Sequence, residues 1–396
     1  MSLEERKTGG VSMRELQRRW KIVRDYMIAS NLDVLIMQSA RAFTGGYVRW
    51  FTDVPAGYPR TVLFHANDPM TIVEHGPAGK RRNVDPTDVT SNPGVGEIFT
   101  TSAFPSVYYT QTQDATVVES ILRYRASRHV GLINEAAMPN GFVSLLRDSF
   151  GGSVTFSNET NFIDQIKAIK SDEEIMLIRK TAKMQDAVFE KVLSSIKPGM
   201  RDTDVTALAQ YEGQRLGSEQ GIFLGSSAPP GRPAFFVSKH LQGRVIREGD
   251  HMSLLIENNG IGGFYTELGR TIILGKASSQ MREGFEIVKA AQAETAYRLK
   301  HNAVCGDLLR FHNGFMHSHG APGEARLYAH SQGYDLVERP LLREDESMAI
   351  QKGMNIAVHP AYASQSIFAH ICDNYLVDQE NMAERLHGTP QQLFEL

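Results

Sequence analysis

The chain has 396 residues, 41% of them hydrophobic and 22% charged, with a formal net charge of -3. That balance excludes a mainly disordered chain and offers no basic surface for nucleic acid or an anionic membrane. Two cysteines, Cys305 and Cys372, are too few for a disulfide scaffold or a zinc ribbon and fit a reducing, cytoplasmic setting. No stretch approaches the roughly 20 apolar residues of a membrane-spanning helix. In chain order, residues 13–31 predict an amphipathic helix, with Leu16, Trp20, Val23, Met27 and Ile28 at helical spacing. LDVLIMQS, RTVLF, TIVEH, HVGLI and SVTF read as short strands, with a helix near 115–127 among them. The alternation predicts an α/β domain over residues 1–165. It contains neither G-x-G-x-x-G nor a P-loop, so nucleotide binding has no support.

Ser171 followed by Glu174 is a capping box that opens a second domain, residues 166–396. Met176, Ile178, Met184, Val188 and Val192 predict the apolar face of its first helix, which Lys197-Pro198-Gly199 ends. A helix over 203–217 follows, then strands at 233–238, 252–258 and 264–274. Helices over 279–300 and 305–318 precede strands near 326–332, 354–362 and 367–377. Two helices and then strands, twice over, predict a duplicated αβ unit.

Ten of the 13 histidines lie at or after His240, which turns the search for chemistry to the C-terminal half. Four segments there interrupt apolar runs with ionisable groups. PAFFVSKH ends at His240; LLIENNGIGGFYTELGRTIILG carries Glu257 and Glu267; YAHSQGYDLVERP carries His330 and Arg339. GMNIAVHPAY and FAHICDNYLV supply His359, His370, Cys372 and Asp373. A buried charge is costly unless paired, so such interruptions mark a site. Strand alternation points Glu257 away from Ile256, to a face that is either solvent or the site. His312, His317 and His319 fall on or just past one helix and read as surface residues.

In combination these segments resemble the pita-bread family of creatinases, Xaa-Pro aminopeptidases, prolidases and methionine aminopeptidases. The resemblance covers nearly the whole chain. It implies an α/β fold with a creatinase-type N-terminal domain followed by a pita-bread domain. Metal-dependent members hold two ions with two Asp, one His and two Glu. Matched by position, those ligands fall on Ile256, Glu267, His330, His359 and Cys372, and only His330 is identical. Glu267 is the single carboxylate of that set. The resemblance is therefore to the ligand-depleted, creatinase-like branch, although two creatinase glutamates fall here on Gly269 and His359.

The implied function is metal-independent hydrolysis of a small non-peptide C–N bond by general acid–base catalysis, without a cofactor. His240 and His330 are the candidate proton shuttles, with Glu267 and His359 orienting substrate and water. Arg339 and Arg60 are assigned to a substrate carboxylate, and Glu257 to a further substrate contact. Tyr58 and Arg60 resemble contacts that creatinase-like homodimers place over the partner's site. Two alternatives stand beside this reading. Glu267, His330 and His359 form a two-histidine, one-carboxylate set for a single iron, manganese or zinc ion in a hydrolase or lyase. The other is a non-catalytic binding protein on the same fold.

Overall fold

The computed structural model of the chain describes residues 9–39, 45–55, 59–88, 91–324 and 326–396. The chain divides into two units, Gly10–Lys167 and Ala168–Leu396. The first begins with α1 (Met13–Ala29), started by Ser12, whose Oγ accepts from the Glu15 N–H. Then come β1 (Val34–Ser39), α2 (Gly46–Thr52), β2 (Arg60–His65), β3 (Met70–His75), β4 (Lys80–Asn83) and β5 (Val95–Thr101). They are followed by α3 (Gln113–Tyr124), β6 (His129–Leu132), α4 (Asn140–Phe150), β7 (Thr155–Asn158) and α5 (Thr160–Ala168). The sheet order is β4-β5-β3-β2-β1-β6-β7. Strands β1, β3, β5, β6 and β7 share one direction, and β2 and β4 oppose it. Val34 and Ile36 alternate on one face of β1 and meet Val118 and Leu122 of α3 and Phe142 and Leu146 of α4 in a buried cluster.

The second unit opens with α6 (Asp172–Leu193) and α7 (Asp202–Arg215), then β8 (Gly221–Ala228), β9 (His251–Asn259) and β10 (Tyr265–Ile273). Next are α8 (Ser279–Arg298), α9 (Cys305–Ser318), β11 (Ala329–Ser331), β12 (Glu338–Leu341), β13 (Asn355–Val358) and β14 (Ala361–Ala363). It closes with β15 (Phe368–His370), β16 (Asp373–Leu376), β17 (Glu384–Arg385) and β18 (Phe394–Glu395). Each helix pair leads into its own sheet, β18-β10-β9-β8 and β12-β11-β13-β16-β17, so the duplication is structural. The sheets meet where Gly269 and Cys372 exchange backbone hydrogen bonds of 3.1 and 3.0 Å. Only glycine allows that approach: a Cβ on Gly269 would stand 2.9 Å from the Cys372 Cβ and from Leu255.

The capping box forms, with Glu174 N–H on Ser171 Oγ and Ser171 N–H on Glu174 Oε2. The buried face of α6 runs through Leu177, Ile178, Thr181, Val188 and Val192, whereas Met176 is 48% exposed, and the helix ends at Leu193. Residues 233–238 form no strand. The strand is β8, upstream, in register with β9 from Gly221↔Asn258 to Ala228↔His251. Its glycines conceal it in the sequence and let it pack, since a Cβ on Gly221 would lie 2.6 Å from the Asn258 Cα. His312 is not a surface residue: it is 2% exposed and stacks on Tyr328 at 3.8 Å. Among the described residues, no helix is long and apolar enough to cross a membrane.

Candidate metal and catalytic site

The β9–β10 hairpin turns through Gly262 and Gly263, at φ +92° and +84°, a conformation that glycine adopts without strain. The turn fixes the register so that Glu267 lies directly opposite Glu257. The two carboxylates therefore share a face of the sheet. Ile256 and Leu268 take the other face and pack with Val188, Val192 and Val205 of α6 and α7. Of the two faces open to Glu257, the covered one is observed: the residue is 6% exposed. Alternation separates Glu257 from Ile256 as expected, but both faces of β9 are covered. The site thus has two carboxylates, not one.

β11 brings His330 to Glu267. The His330 ring places Nδ1 3.1 Å from the Ser331 carbonyl, which can only accept, so Nδ1 carries the hydrogen. Nε2 then turns a lone pair toward Glu267 Oε2, 3.6 Å away. His359 follows β13, held by its backbone N–H on the Tyr328 carbonyl at 2.8 Å, and its ring centroid is 5.2 Å from that of His330. One ligand atom from each of Glu267, His330 and His359 lies within 4.8 Å of the other two. Glu267 Oε2 and His359 Nε2 are buried and have no hydrogen-bond partner.

Burial drives the electrostatics. It pushes Glu267 up to about 7, against the opposing pull of the Cys372 hydrogen bond. It raises Glu257 well above the carboxylate range, with the facing Glu267 charge adding to it. It depresses His330 to about 4 and lowers His359 well below its ordinary value, so both imidazoles are neutral at pH 7. Among the described residues, no Lys or Arg forms an ion pair with either carboxylate. Arg270, three residues beyond Glu267, is committed to Asp373 at 2.7 Å.

A set of amides that sequence reasoning missed braces the site. Gln332 Nε2 donates to Glu257 Oε1 at 2.8 Å. Asn374 Nδ2 donates to Gln332 Oε1 and Asn355 Oδ1, both at 2.9 Å, and Asn374 Oδ1 accepts the Glu267 N–H at 2.7 Å. The only signal for them is position, in the HSQG, GMN and CDNY segments.

Among the described residues, the remaining candidates add no ligand atom to the cluster. His240 sits in an exposed 3-10 turn, Lys239–Leu241, and the structure does not bring it to the cluster. The Arg339 guanidinium is held by Glu346 at 2.5 and 3.1 Å. Arg60, in the first unit, gives Nη2 to Glu74 at 2.7 Å. Tyr58 lies outside the described residues. Cys372 is buried with its thiol on the Glu267 carbonyl, and burial holds it protonated.

A model of metallopeptidase family M24 matches residues 176–379. An uncharacterised peptidase of Bacillus subtilis is 25% identical over 253 residues, 59% of this chain and 66% of that protein, just under two thirds of its length. An Xaa-Pro dipeptidase of Pyrococcus horikoshii is 23% identical over 262 residues, covering 65% of this chain and 73% of that one. Among solved structures, the X-Pro aminopeptidase from Thermotoga maritima superposes with a TM-score of 0.78 at 16% identity, over 96% of this chain and 99% of that one. The chain therefore belongs to metallopeptidase family M24: it has an N-terminal α/β domain followed by a pita-bread domain, and it is a hydrolase acting on C–N bonds.

Proposed function

We propose that Glu267, His330 and His359 hold a single divalent metal ion, and that the chain hydrolyses the amide bond of a small Xaa-Pro-like substrate beside it. The observation that carries this is the meeting of Glu267, His330 and His359, one ligand atom from each within 4.8 Å of the others, where Glu267 Oε2 and His359 Nε2 are buried without a hydrogen-bond partner. Two neutral imidazoles and one carboxylate suit iron, manganese or zinc. Burial without a Lys or Arg partner raises both carboxyl groups, and a cation beside them favours the ionised form that burial opposes. An imidazole-only mechanism leaves Glu267 Oε2 and His359 Nε2 unpartnered, which is why this reading is preferred to the metal-free one. The peptide-like substrate class comes from the Xaa-Pro dipeptidase relative.

A bound ion supplies Lewis-acid polarisation of the carbonyl and acidification of water. The chain's own residues do the rest. The Ser331 carbonyl fixes the His330 ring, as second partners of ligand histidines do. Asn374 fixes the backbone of Glu267. Glu257 Oε2, the oxygen that Gln332 does not hold, is the place for a proton on its way to the leaving nitrogen. The test is titration of dialysed protein with Mn²⁺ or Zn²⁺, followed by elemental analysis and turnover of Xaa-Pro dipeptides. One ion per chain is expected. His330→Ala should lose the ion and roughly 10²–10⁴-fold in turnover while keeping its thermal midpoint. Turnover that survives a chelator would restore the metal-free reading.

A further inference from the structure

The first unit carries chemistry that the metal site does not use. Its five co-directional strands send their carboxyl ends to one edge, and in open α/β sheets that edge is where ligands sit. A cleft of about 530 Å³ opens there, lined by Gln38, Ser39, Arg60, Phe104, Asp114 and Phe142 among others. That volume is within the usual range for a small-molecule site, about 300–1,000 Å³. Helices α3 and α4 begin at the cleft, and neither has a side-chain cap. Uncapped helix starts favour an anion.

Three lining residues each hold a buried polar atom without a partner: Gln38 Oε1, Ser39 Oγ and Arg60 Nη1. Ser39 is 2% exposed. The other ends of the two longer side chains are engaged, Gln38 Nε2 on Thr61 Oγ1 at 2.8 Å and Arg60 Nη2 on Glu74 at 2.7 Å. A cationic donor, a hydroxyl and an amide acceptor left open in one wall are what a ligand would complete.

We propose that this cleft binds a free L-α-amino acid with an apolar side chain. Its carboxylate meets Arg60 Nη1, Ser39 Oγ and the start of α4. Its ammonium meets Gln38 Oε1 and the Asp114 carboxyl, which already accepts from Thr101. Its side chain rests on Phe104 and Phe142. Binding includes a turn of the Ser39 hydroxyl and the Arg60 guanidinium, because their free atoms are buried in the residues that line the cleft.

The experiment is calorimetric titration of the full chain with L-leucine, L-leucinamide and N-acetyl-L-leucine. L-Leucine should bind, and removing either charge should weaken binding by about tenfold or more. Ser39→Ala should weaken L-leucine by about tenfold without lowering the thermal midpoint of the free protein, because the lost hydroxyl has no partner. Arg60→Lys should weaken it too, and His330→Ala should leave it unchanged. The proposal is overturned if L-leucine does not bind at millimolar concentration. It is equally overturned if Ser39→Ala leaves binding intact, or if His330→Ala abolishes it and so assigns the ligand to the metal site.

Discussion

Strands β10 and β16 contribute to two buried polar clusters that are completed in opposite ways. In one, Arg270 and Asp373 are both fully buried and form a 2.7 Å ion pair. The guanidinium satisfies all five of its donors, on Asp373 and on the carbonyls of Gly269, Cys372, Thr389 and Pro390. In the other, Glu267 and His330 are as deeply placed, yet Glu267 Oε2 and His359 Nε2 have no partner. Both clusters pay the cost of leaving water. Only the first recovers it within the chain, so the first holds the sheets together and the second waits for a species from outside.

The sharpest way to break this comparison is to remove one carboxylate from each cluster. Asp373→Ala leaves Arg270 charged and uncompensated, and should cost about 3–5 kcal/mol in a denaturant titration while turnover per folded molecule persists. Glu267→Gln removes a buried carboxyl that has no Lys or Arg partner and whose ionised form burial opposes. Its midpoint should hold or rise, while ion uptake and turnover disappear. Equal losses of stability in both variants would mean that Glu267 belongs to the structural class.

The same contrast explains what could be read in advance. Glu267, His330 and His359 stand out because each breaks an apolar run, and a break in such a run survives as a local pattern. The face of Glu257 could not be read, because alternation gives opposition but not which side is covered, and β9 is covered on both. Gln332, Asn355 and Asn374 meet only through the pairing of β11, β13 and β16, and amides follow no spacing rule that joins positions 332, 355 and 374. β8 was hidden by glycines that propensity counts against a strand, and close packing against β9 is what requires them.

His312 tests whether burial alone accounts for the depressed histidines. It lies outside the metal cluster and stacks on Tyr328, and burial lowers it from 6.5 to about 4. Between those values the unfolded chain binds the proton and the folded chain does not, so stability rises with pH. The contribution is complete above pH 6.5 and is lost as pH falls through about 4. His312→Phe keeps the stacked ring and removes the titration. Over that interval the wild type should lose about 3 kcal/mol more than the variant, measured by denaturation at each pH. Parallel pH profiles would show that His312 does not titrate on unfolding, and that burial by itself is no guide to the site histidines.

The smallest expected effect asks whether the site depends on the frame that carries it. The capping box at the start of α6 satisfies two backbone N–H donors reciprocally, that of Ser171 on the Glu174 carboxylate and that of Glu174 on the Ser171 hydroxyl. Ser171→Ala should cost about 1 kcal/mol. Further along the same helix, Gln185 Nε2 donates to the Ile256 carbonyl at 3.2 Å and the Thr266 carbonyl at 2.6 Å, and so grips both strands of the hairpin next to Glu257 and Glu267. Fraying is confined to the first turn of a helix, whereas Gln185 lies more than three turns in, within the buried face. The midpoint of Ser171→Ala should therefore fall while ion affinity stays at the wild-type value. A fall in ion affinity alongside the midpoint would show that the position of α6 along its axis, and not only the local grip of Gln185, sets the spacing of the two carboxylates.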